Sequence, residues 1–164
     1  MPTTSLGLTY PASTAHTRIW EHIQTLAQNV NDLFVAKTPL MGSGQLTTAY
    51  TMTASMADLV GASVTLNVPR AGAPALIVWS TDFQVQTTGS VTAYTLVSID
   101  GVDQPQNAVW NPGGAGVGAR VTVGNSFTTT LATSGNHTFK LRGVGTSAIK
   151  ALNIHTQISV VVLP

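Results

Sequence analysis

Eight strand-like segments follow one another along most of the chain, separated by short turns rich in glycine and asparagine. Within them apolar and polar residues alternate with the period of two that is typical of a half-buried strand. The segments are Leu46–Thr53, Ser63–Val68, Ala75–Thr87, Val91–Ile99, Val102–Trp110, Arg120–Leu131, His137–Arg142 and Ala151–Leu163. Many short strands at regular spacing predict a mainly β fold with one antiparallel β-sandwich, or jelly roll.

Three details of these segments predict their places in the sheets. The last segment ends in the apolar run SVVVL, and such a strand is expected in the middle of a sheet with both faces covered. Pro105 lacks a backbone N–H, so Val102–Trp110 is predicted to be in part an edge or a bulge. Asp100-Gly101, between two segments, is the strongest hairpin signal in the chain.

The segment from residue 14 to residue 37 has a helical period instead. Its apolar residues Ile19, Ile23, Leu26, Val30 and Leu33 are spaced four, three, four and three, which is the a/d seam of a heptad repeat. A second apolar line of Trp20, Ala27 and Phe34 widens this surface toward that of a globular helix. Two interpretations stay open: an amphipathic helix lying on its own domain, and a parallel bundle of several copies whose interface is the seam.

The chain therefore divides into three parts. Residues 1–38 are an arm and a helix, the part of the chain expected to attach to neighbouring surfaces or to other copies. In the arm Leu6, Leu8 and Tyr10 alternate, as in a strand-like strip along a neighbouring surface. Residues 39–44 (PLMGSG) are predicted to be a hinge, and residues 45–164 the β-sandwich domain.

Composition excludes several classes of function. Charged residues make up 8% of the chain, against about a quarter in an average soluble protein, and this is common in a protein held permanently in an assembly. The net charge is +1, without a basic run beyond a local spot at Lys140 and Arg142, so no nucleic-acid partner is expected. The sequence has no cysteine, no signal-peptide pattern and no apolar run long enough to span a bilayer. We expect no membrane insertion. Synthesis is expected in the cytoplasm of the cell that expresses the chain.

Groups for catalysis are few and scattered. The six carboxylates and four histidines form no nucleophile elbow, no H-E-x-x-H motif and no phosphate loop. We therefore expect no enzyme, no metal and no cofactor. A hydrolase on a jelly-roll scaffold, with Asp82 in a carboxylate pair, is the weaker alternative.

One aromatic residue is a candidate for ligand binding. Trp110 precedes the glycine-rich loop 111–118 (NPGGAGVG), where its flat apolar face could stack on a sugar. An aromatic residue at a strand end that merely packs is the alternative interpretation. Trp79, inside an apolar strand, is predicted to belong to the core.

Parts of the sequence resemble known proteins. The opening LGLTYPAST, with a helix ending in LAQNVNDLF, resembles the start of many short structural proteins of tailed bacteriophages. The segments ALIVWSTDFQVQTTGSVTAYTLVSIDGV, FTTTLATSGNHTFKLRG and LNIHTQISVVVL are similar to the C1q/TNF-like jelly-roll domains of phage fibres and minor tail proteins. Shared features are a strand ending in an Asp-Gly turn, a Ser-Gly-x-His-Thr-hydrophobic-Lys-Leu-Arg strand and an apolar final strand.

The resemblance implies a homotrimer with a short three-helix coiled-coil stalk and three sandwiches about one axis. It implies a non-enzymatic virion protein of the fibre, minor tail or capsid-decoration type, anchored to other virion proteins of the head or tail. The alternative is an adhesin whose outer loops bind a host surface glycan. Because the stalk holds little more than two heptads, strands such as Ala75–Phe83 and Ile154–Leu163 are expected to supply most of the interface.

Overall fold

The computed structural model describes residues 19–88 and 92–163. The predicted arm lies outside the described residues. The chain divides into two compact units, residues 1–38 and residues 39–163. The described part of the first unit is a helix, and the second unit is a β-sandwich.

The helix of the first unit, α1, spans Ile19–Lys37. Glu21 lies in its first turn and Lys37 in its last, which places each charge at the end of the helix dipole that favours it. Gln28 Nε2 donates to Asp32 Oδ1 at 2.6 Å, one turn further on. The helix ends before Pro39, which disfavours a helical conformation at the preceding residue.

The second unit contains nine strands in its described residues, and all of their pairings are antiparallel. They are β1 Leu40–Gln45, β2 Tyr50–Thr51, β3 Ala57–Val68, β4 Ala73–Val85, β5 Ala93–Ile99, β6 Val102–Trp110, β7 Arg120–Leu131, β8 Gly135–Gly145 and β9 Ile149–Val162. One sheet has the order β1-β9-β4-β7, with β2 also paired to β9. The other has the order β3-β8-β5-β6. The predicted mainly β class with an antiparallel sandwich is confirmed.

The core lies between the two sheets and is formed by the inward half of each alternating strand. Its largest fully buried side chains are Trp79, Phe83, Phe139, Met52, Leu59, Ile77, Leu141, Ile149, Ile158, Val68 and Val85. Burial of Trp79 confirms its predicted place. A hydrogen bond of 2.8 Å between the buried hydroxyls of Thr81 and Thr95 links β4 to β5 across the core.

The two sheets approach most closely where β1 lies against β3. A Cβ on Gly44 would come within 2.2 Å of the Ser63 carbonyl oxygen, so only glycine fits there. Gly61, with φ of +92°, forms a bulge in β3 at the same place. Residues 39–44, expected to be a hinge, thus lie almost entirely in β1, and their glycines serve close packing instead of flexibility.

Several strand predictions can be compared with the sheets directly. β9 lies between β1 and β4, and β6 is an edge strand, as predicted. The turn at Asp100-Gly101 has positive φ at both residues, 52° and 86°, which is the hairpin geometry that this pair predicts. Of the predicted strand Leu46–Thr53, however, only Tyr50–Thr51 is a strand. The backbone N–H of Leu46 donates to β9 and that of Thr47 donates to β3, so these two neighbouring residues bond to different sheets.

The expectation that β9 is covered on both faces is wrong for the single chain. Its inward residues are buried, whereas outward residues such as Gln157 and Ser159 are exposed. These outward residues of β9 are part of the outward face of the sheet β1-β9-β4-β7.

Candidate subunit interface

The helical seam leaves apolar side chains exposed. Ile23, Leu26 and Val30 are 62%, 47% and 49% exposed, and Leu33 is half-buried. The side chain of the fifth predicted seam residue, Ile19, lies outside the described part of the chain. Phe34, on the second apolar line, is exposed as well. Apolar side chains at heptad spacing are the surface that a coiled coil buries.

A second surface, here called the neutral face, is the end of the outward face of the sheet β1-β9-β4-β7 that includes β1. The charged residues Arg120 and Lys150, both paired with Gln84, lie beyond it at the other end of the same sheet. The neutral face consists of the outward residues Met41, Ser43, Gln45, Pro74, Leu76, Val78, Ser80, Gly124, Ser126, Thr128, Thr130, Gln157, Ser159, Val161 and Leu163. None of them carries a charge. Depletion of charged residues marks the core of protein–protein interfaces.

Strand register arranges the apolar members of the neutral face in a row. Met41 pairs with Val161, which pairs with Leu76, which pairs with Thr128 on the edge strand. Val78 stands next to this row, two residues along β4 from Leu76. Met41 is 73% exposed, and Leu76 and Val78 are more than 40% exposed. A continuous exposed apolar strip of this kind marks an interaction site more often than scattered single residues do.

The outward face of the other sheet, here called the charged face, has the opposite chemistry. Arg142 Nη1 donates to both carboxylate oxygens of Asp103, at 2.6 and 2.7 Å, and its Nε donates to Asp58 at 3.0 Å. Lys140 Nζ also donates to Asp58, at 2.8 Å. The hydrogen bond from Lys140 is the main cause that lowers the pKa of Asp58. The local basic spot expected from Lys140 and Arg142 is therefore neutralised by two carboxylates.

A buried ion pair lies at one end of the β4–β7 ladder. Asp82 is fully buried and accepts hydrogen bonds from Arg120, whose Nε lies 2.7 Å from Oδ1 and whose Nη2 bonds to Oδ2. Thr156 Oγ1 accepts from the backbone N–H of Asp82 at 3.1 Å. The hydrogen bond to Asp82 raises the pKa of Arg120. Among the described contacts, no second carboxylate bonds to Asp82.

Trp110 lies at the end of β6 and is half-buried. Its ring stacks on that of the fully buried Phe83, with centroids 6.1 Å apart and planes 13° from parallel. The loop that follows turns through Gly113, Gly114 and Gly118, which all have positive φ. Gly118 donates its N–H to Val85 O, so the loop is tied to the end of β4.

Two kinds of feature are absent from the described residues. Across residues 19–88 and 92–163, no three His, Asp or Glu side chains are grouped so as to hold a metal ion. In the same ranges no helix is long and apolar enough to cross a membrane.

The neutral face itself was missed by the sequence analysis, although Ala75–Phe83 and Ile154–Leu163 were expected to contribute to an interface. Part of the sequence pattern that indicates this face is present in one strand. In β7, sequence GNSFTTT, the outward positions are small hydroxyl residues or glycine. Only the register shows that these positions join the outward residues of β1, β9 and β4 in one charge-free surface.

Comparisons with known proteins concern the fold. The sequence matches no protein-family profile and no curated protein. The structure is similar to Eiger TNF from S. frugiperda, with a TM-score of 0.50 and 8% identity over 77% of this chain and 93% of that one. For the VP2 subviral particle of infectious bursal disease virus the TM-score is 0.48 and the identity 11%, over 78% of this chain and 33% of that one. The likeness to Eiger shows that the sandwich has a TNF-like jelly-roll fold.

Proposed function

We propose that the protein is a non-enzymatic structural component of a tailed-bacteriophage virion, a homotrimer of the fibre, minor tail or capsid-decoration type. The observation that carries this proposal is the neutral face, with its apolar row of the exposed Met41 and Leu76 and the half-buried Val161 between them. The resemblance of the sequence to phage structural proteins supplies the kind of particle. The virion is accordingly the proposed location, and other head or tail proteins are the proposed anchoring partners.

The neutral face supports self-association for a physical reason. An exposed apolar strip in water costs about 25 cal/mol for each Å² that a partner could cover. No charge on this face has to be desolvated when it is covered, which removes one of the costs that oppose association. In a ring of three copies the contacts are heterologous, so the face of one copy packs on a different surface of the next.

The residues of the helical seam also support an assembly of three copies. Its mixture of Ile, Leu and Val does not follow the two-stranded pattern of β-branched residues at a with leucine at d. With so few heptads the helices alone hold a trimer weakly. The sandwiches then contribute most of the buried surface, and the arm and helix attach the trimer to the particle.

Sedimentation equilibrium of the full chain tests the assembly. We expect the mass of three chains; a monomer at all accessible concentrations contradicts the proposal. Replacing Ile23 and Leu26 together with Asp is expected to weaken or abolish the trimer, since two charges then face the seam of each copy. The matched control replaces Gln24 and Asn31, which are exposed and lie off the seam, with Asp.

Imaging tests the location. Phage particles that encode this chain, imaged at sub-nanometre detail, are expected to show three copies about an axis on the head or the tail. Purified particles that lack the chain contradict the virion proposal while leaving the trimer intact.

The alternative is a glycan-binding adhesin, and the exposed part of Trp110 favours it. Stacking on Phe83 fixes the plane of the Trp110 ring, and a fixed aromatic plane suits sugar binding. The test is a glycan array with the wild-type trimer, Trp110→Ala and Trp110→Tyr. The adhesin predicts binding that Ala removes and Tyr retains in part; absence of binding by the wild type contradicts it.

A further inference from the structure

Two turns at one end of the sandwich are joined through a single buried imidazole. His137, in β8, has a side chain that is 7% exposed. Its Nδ1 lies 2.6 Å from Oδ2 of Asp100, which belongs to the turn between β5 and β6. Its Nε2 lies 3.0 Å from the carbonyl oxygen of Thr133, in the turn between β7 and β8. The imidazole is therefore the link between these turns.

Both of these partners can only accept a hydrogen bond. An ionised carboxylate and a carbonyl oxygen have no proton to donate, so both ring nitrogens must carry one. Only the imidazolium form of His137 satisfies this arrangement. The second carboxylate oxygen of Asp100 accepts from the backbone N–H of Thr138 at 2.7 Å, which fixes the carboxylate in place.

The surroundings favour the charged ring. Burial by itself lowers the pKa of His137, but the hydrogen bond to the Thr133 carbonyl and the hydrogen bond and charge of Asp100 outweigh it. The result is a pKa above the ordinary value of 6.5. Asp100 is the charged group that faces this ring; Thr133, the other partner, is neutral.

Loss of the proton leaves one partner mismatched. The neutral ring keeps Nδ1–H toward the Asp100 carboxylate, so a lone pair on Nε2 then faces the lone pairs of the Thr133 carbonyl oxygen. The hydroxyl of the same residue, Thr133 Oγ1, lies 3.4 Å from Nε2 and can donate to it.

We infer that His137 and Thr133 form a two-position pH switch, in which Nε2 donates to the Thr133 carbonyl when the ring is charged and accepts from the Thr133 hydroxyl when it is neutral. Exchange of partners shifts the turn that carries Thr133. Thr133 and Ala132 of that turn line a cavity of about 230 Å³, together with Thr130, Asp100 and Gln104. The shape of this cavity therefore depends on pH.

The direction of the pH dependence follows from the sign of the shift. Since the pKa of His137 in the folded chain lies above that of a free histidine, the link stabilises the fold fully below about pH 6.5. The contribution is lost as the pH rises through the folded value. Acid strengthens the connection between the two turns, and mild alkali loosens it.

The experiment is a pH titration by NMR of the full chain with labelled histidine, in which His137→Asn identifies the signal by removing it. We expect the His137 midpoint above 6.5, with the backbone amide of Thr133 moving at the same midpoint. Thr133→Val is expected to raise the midpoint by roughly half a unit, because the neutral ring loses its hydroxyl donor. Thr133→Ser, which keeps the hydroxyl, is expected to leave it unchanged.

Asp100→Asn is expected to move the midpoint in the opposite direction, downward, since it removes the charge that favours imidazolium. Asparagine tolerates the positive φ of this position, so the turn is expected to be retained. A wild-type midpoint at or below 6.5 overturns the switch. So does a midpoint that Thr133→Val lowers or leaves in place, because the hydroxyl then has no part in the neutral state.

Discussion

The two outward faces of the sandwich are built alike and differ in chemistry. Both are four-stranded antiparallel surfaces on which every second residue points away from the core. The neutral face has no charge and an exposed apolar row, whereas the charged face holds Asp58, Asp103, Lys140 and Arg142 in one network. In a chain with only 8% charged residues this separation distinguishes a face suited to water from a face suited to a partner.

The few carboxylates of the sandwich follow the same division. On the charged face they are partly exposed and share their cations, so each pair is worth little. The carboxylate of β4, Asp82, is instead fully buried under Arg120. On the sheet that carries the neutral face, this ion pair lies two residues along β4 from Ser80, where the charge-free surface ends.

The largest expected effect comes from one identical substitution on each face. Val78→Asp places a charge in the neutral face, where it would be desolvated on assembly at a cost of several kcal/mol per copy. Val60→Asp makes the same change at an exposed valine of β3, in the sheet of the charged face. We expect sedimentation to show a monomer for Val78→Asp and a trimer for Val60→Asp.

Circular dichroism and thermal unfolding of both variants separate assembly from folding. Each valine is more than 40% exposed, so each single chain is expected to keep its sandwich. If both variants remain trimeric, the neutral face is not the interface and the contrast between the faces has another cause.

A second comparison concerns stability. Asp82→Asn removes the charge from a fully buried position and leaves Arg120 without its partner, which is expected to lower the free energy of unfolding by about 2 kcal/mol or more. The Arg120 side chain is 40% exposed and can be hydrated, which keeps the cost below that of a fully buried pair. Asp58→Asn is expected to cost about 0.5 kcal/mol, as for an exposed ion pair.

Denaturant unfolding at one fixed protomer concentration measures both costs, since assembly otherwise shifts the apparent stability. Equal costs for the two substitutions contradict the distinction between the buried and the exposed carboxylate.

Much of the fold could be predicted from the sequence, whereas the division between the two faces could not, and the reason lies in the range of the interactions. Alternation and turn chemistry are local, so the β-sandwich, the Asp100-Gly101 turn and the edge position of β6 were predicted correctly. The neutral face depends on register between strands far apart in sequence, such as Met41 with Val161, and no local pattern gives that register.

The same limit explains the misinterpreted glycines and the missed histidine link. Gly44 resembles a hinge residue in sequence, because the contact with β3 that requires it comes from a distant segment. His137 has no acidic neighbour in the chain; its partner Asp100 is brought to it by the pairing of β5 with β8. In both cases the fold, and not the local sequence, assigns the role.

A high salt concentration is expected to have a smaller effect, and it distinguishes the charged face from the neutral face. At about 1 M ionic strength the screening length is about 3 Å, and exposed charge pairs are largely screened. The cost of Asp103→Asn, expected at about 0.5 kcal/mol or less in low salt, should shrink toward zero. The trimer should persist or become tighter, because salt does not weaken burial of an uncharged surface. A trimer that dissociates in salt shows that charges outside the neutral face hold it together.

Lowering the pH is expected to have the smallest effect. It distinguishes the two faces because Asp58 of the charged face titrates, whereas the neutral face has no group that does. Because the hydrogen bond from Lys140 lowers the pKa of Asp58 below its ordinary value of 3.8, this carboxylate stabilises the fold above that pH, and the contribution is lost as the pH falls through the lowered value. The cost of Asp58→Asn, measured by denaturant unfolding, should therefore be constant at pH values well above 3.8 and vanish once the pH has fallen through the lowered pKa of Asp58. The neutral face has no ionisable side chain, so the sedimenting mass should stay that of a trimer wherever the chain remains folded. Dissociation that follows the titration of Asp58 in the folded state would place the interface on the charged face instead.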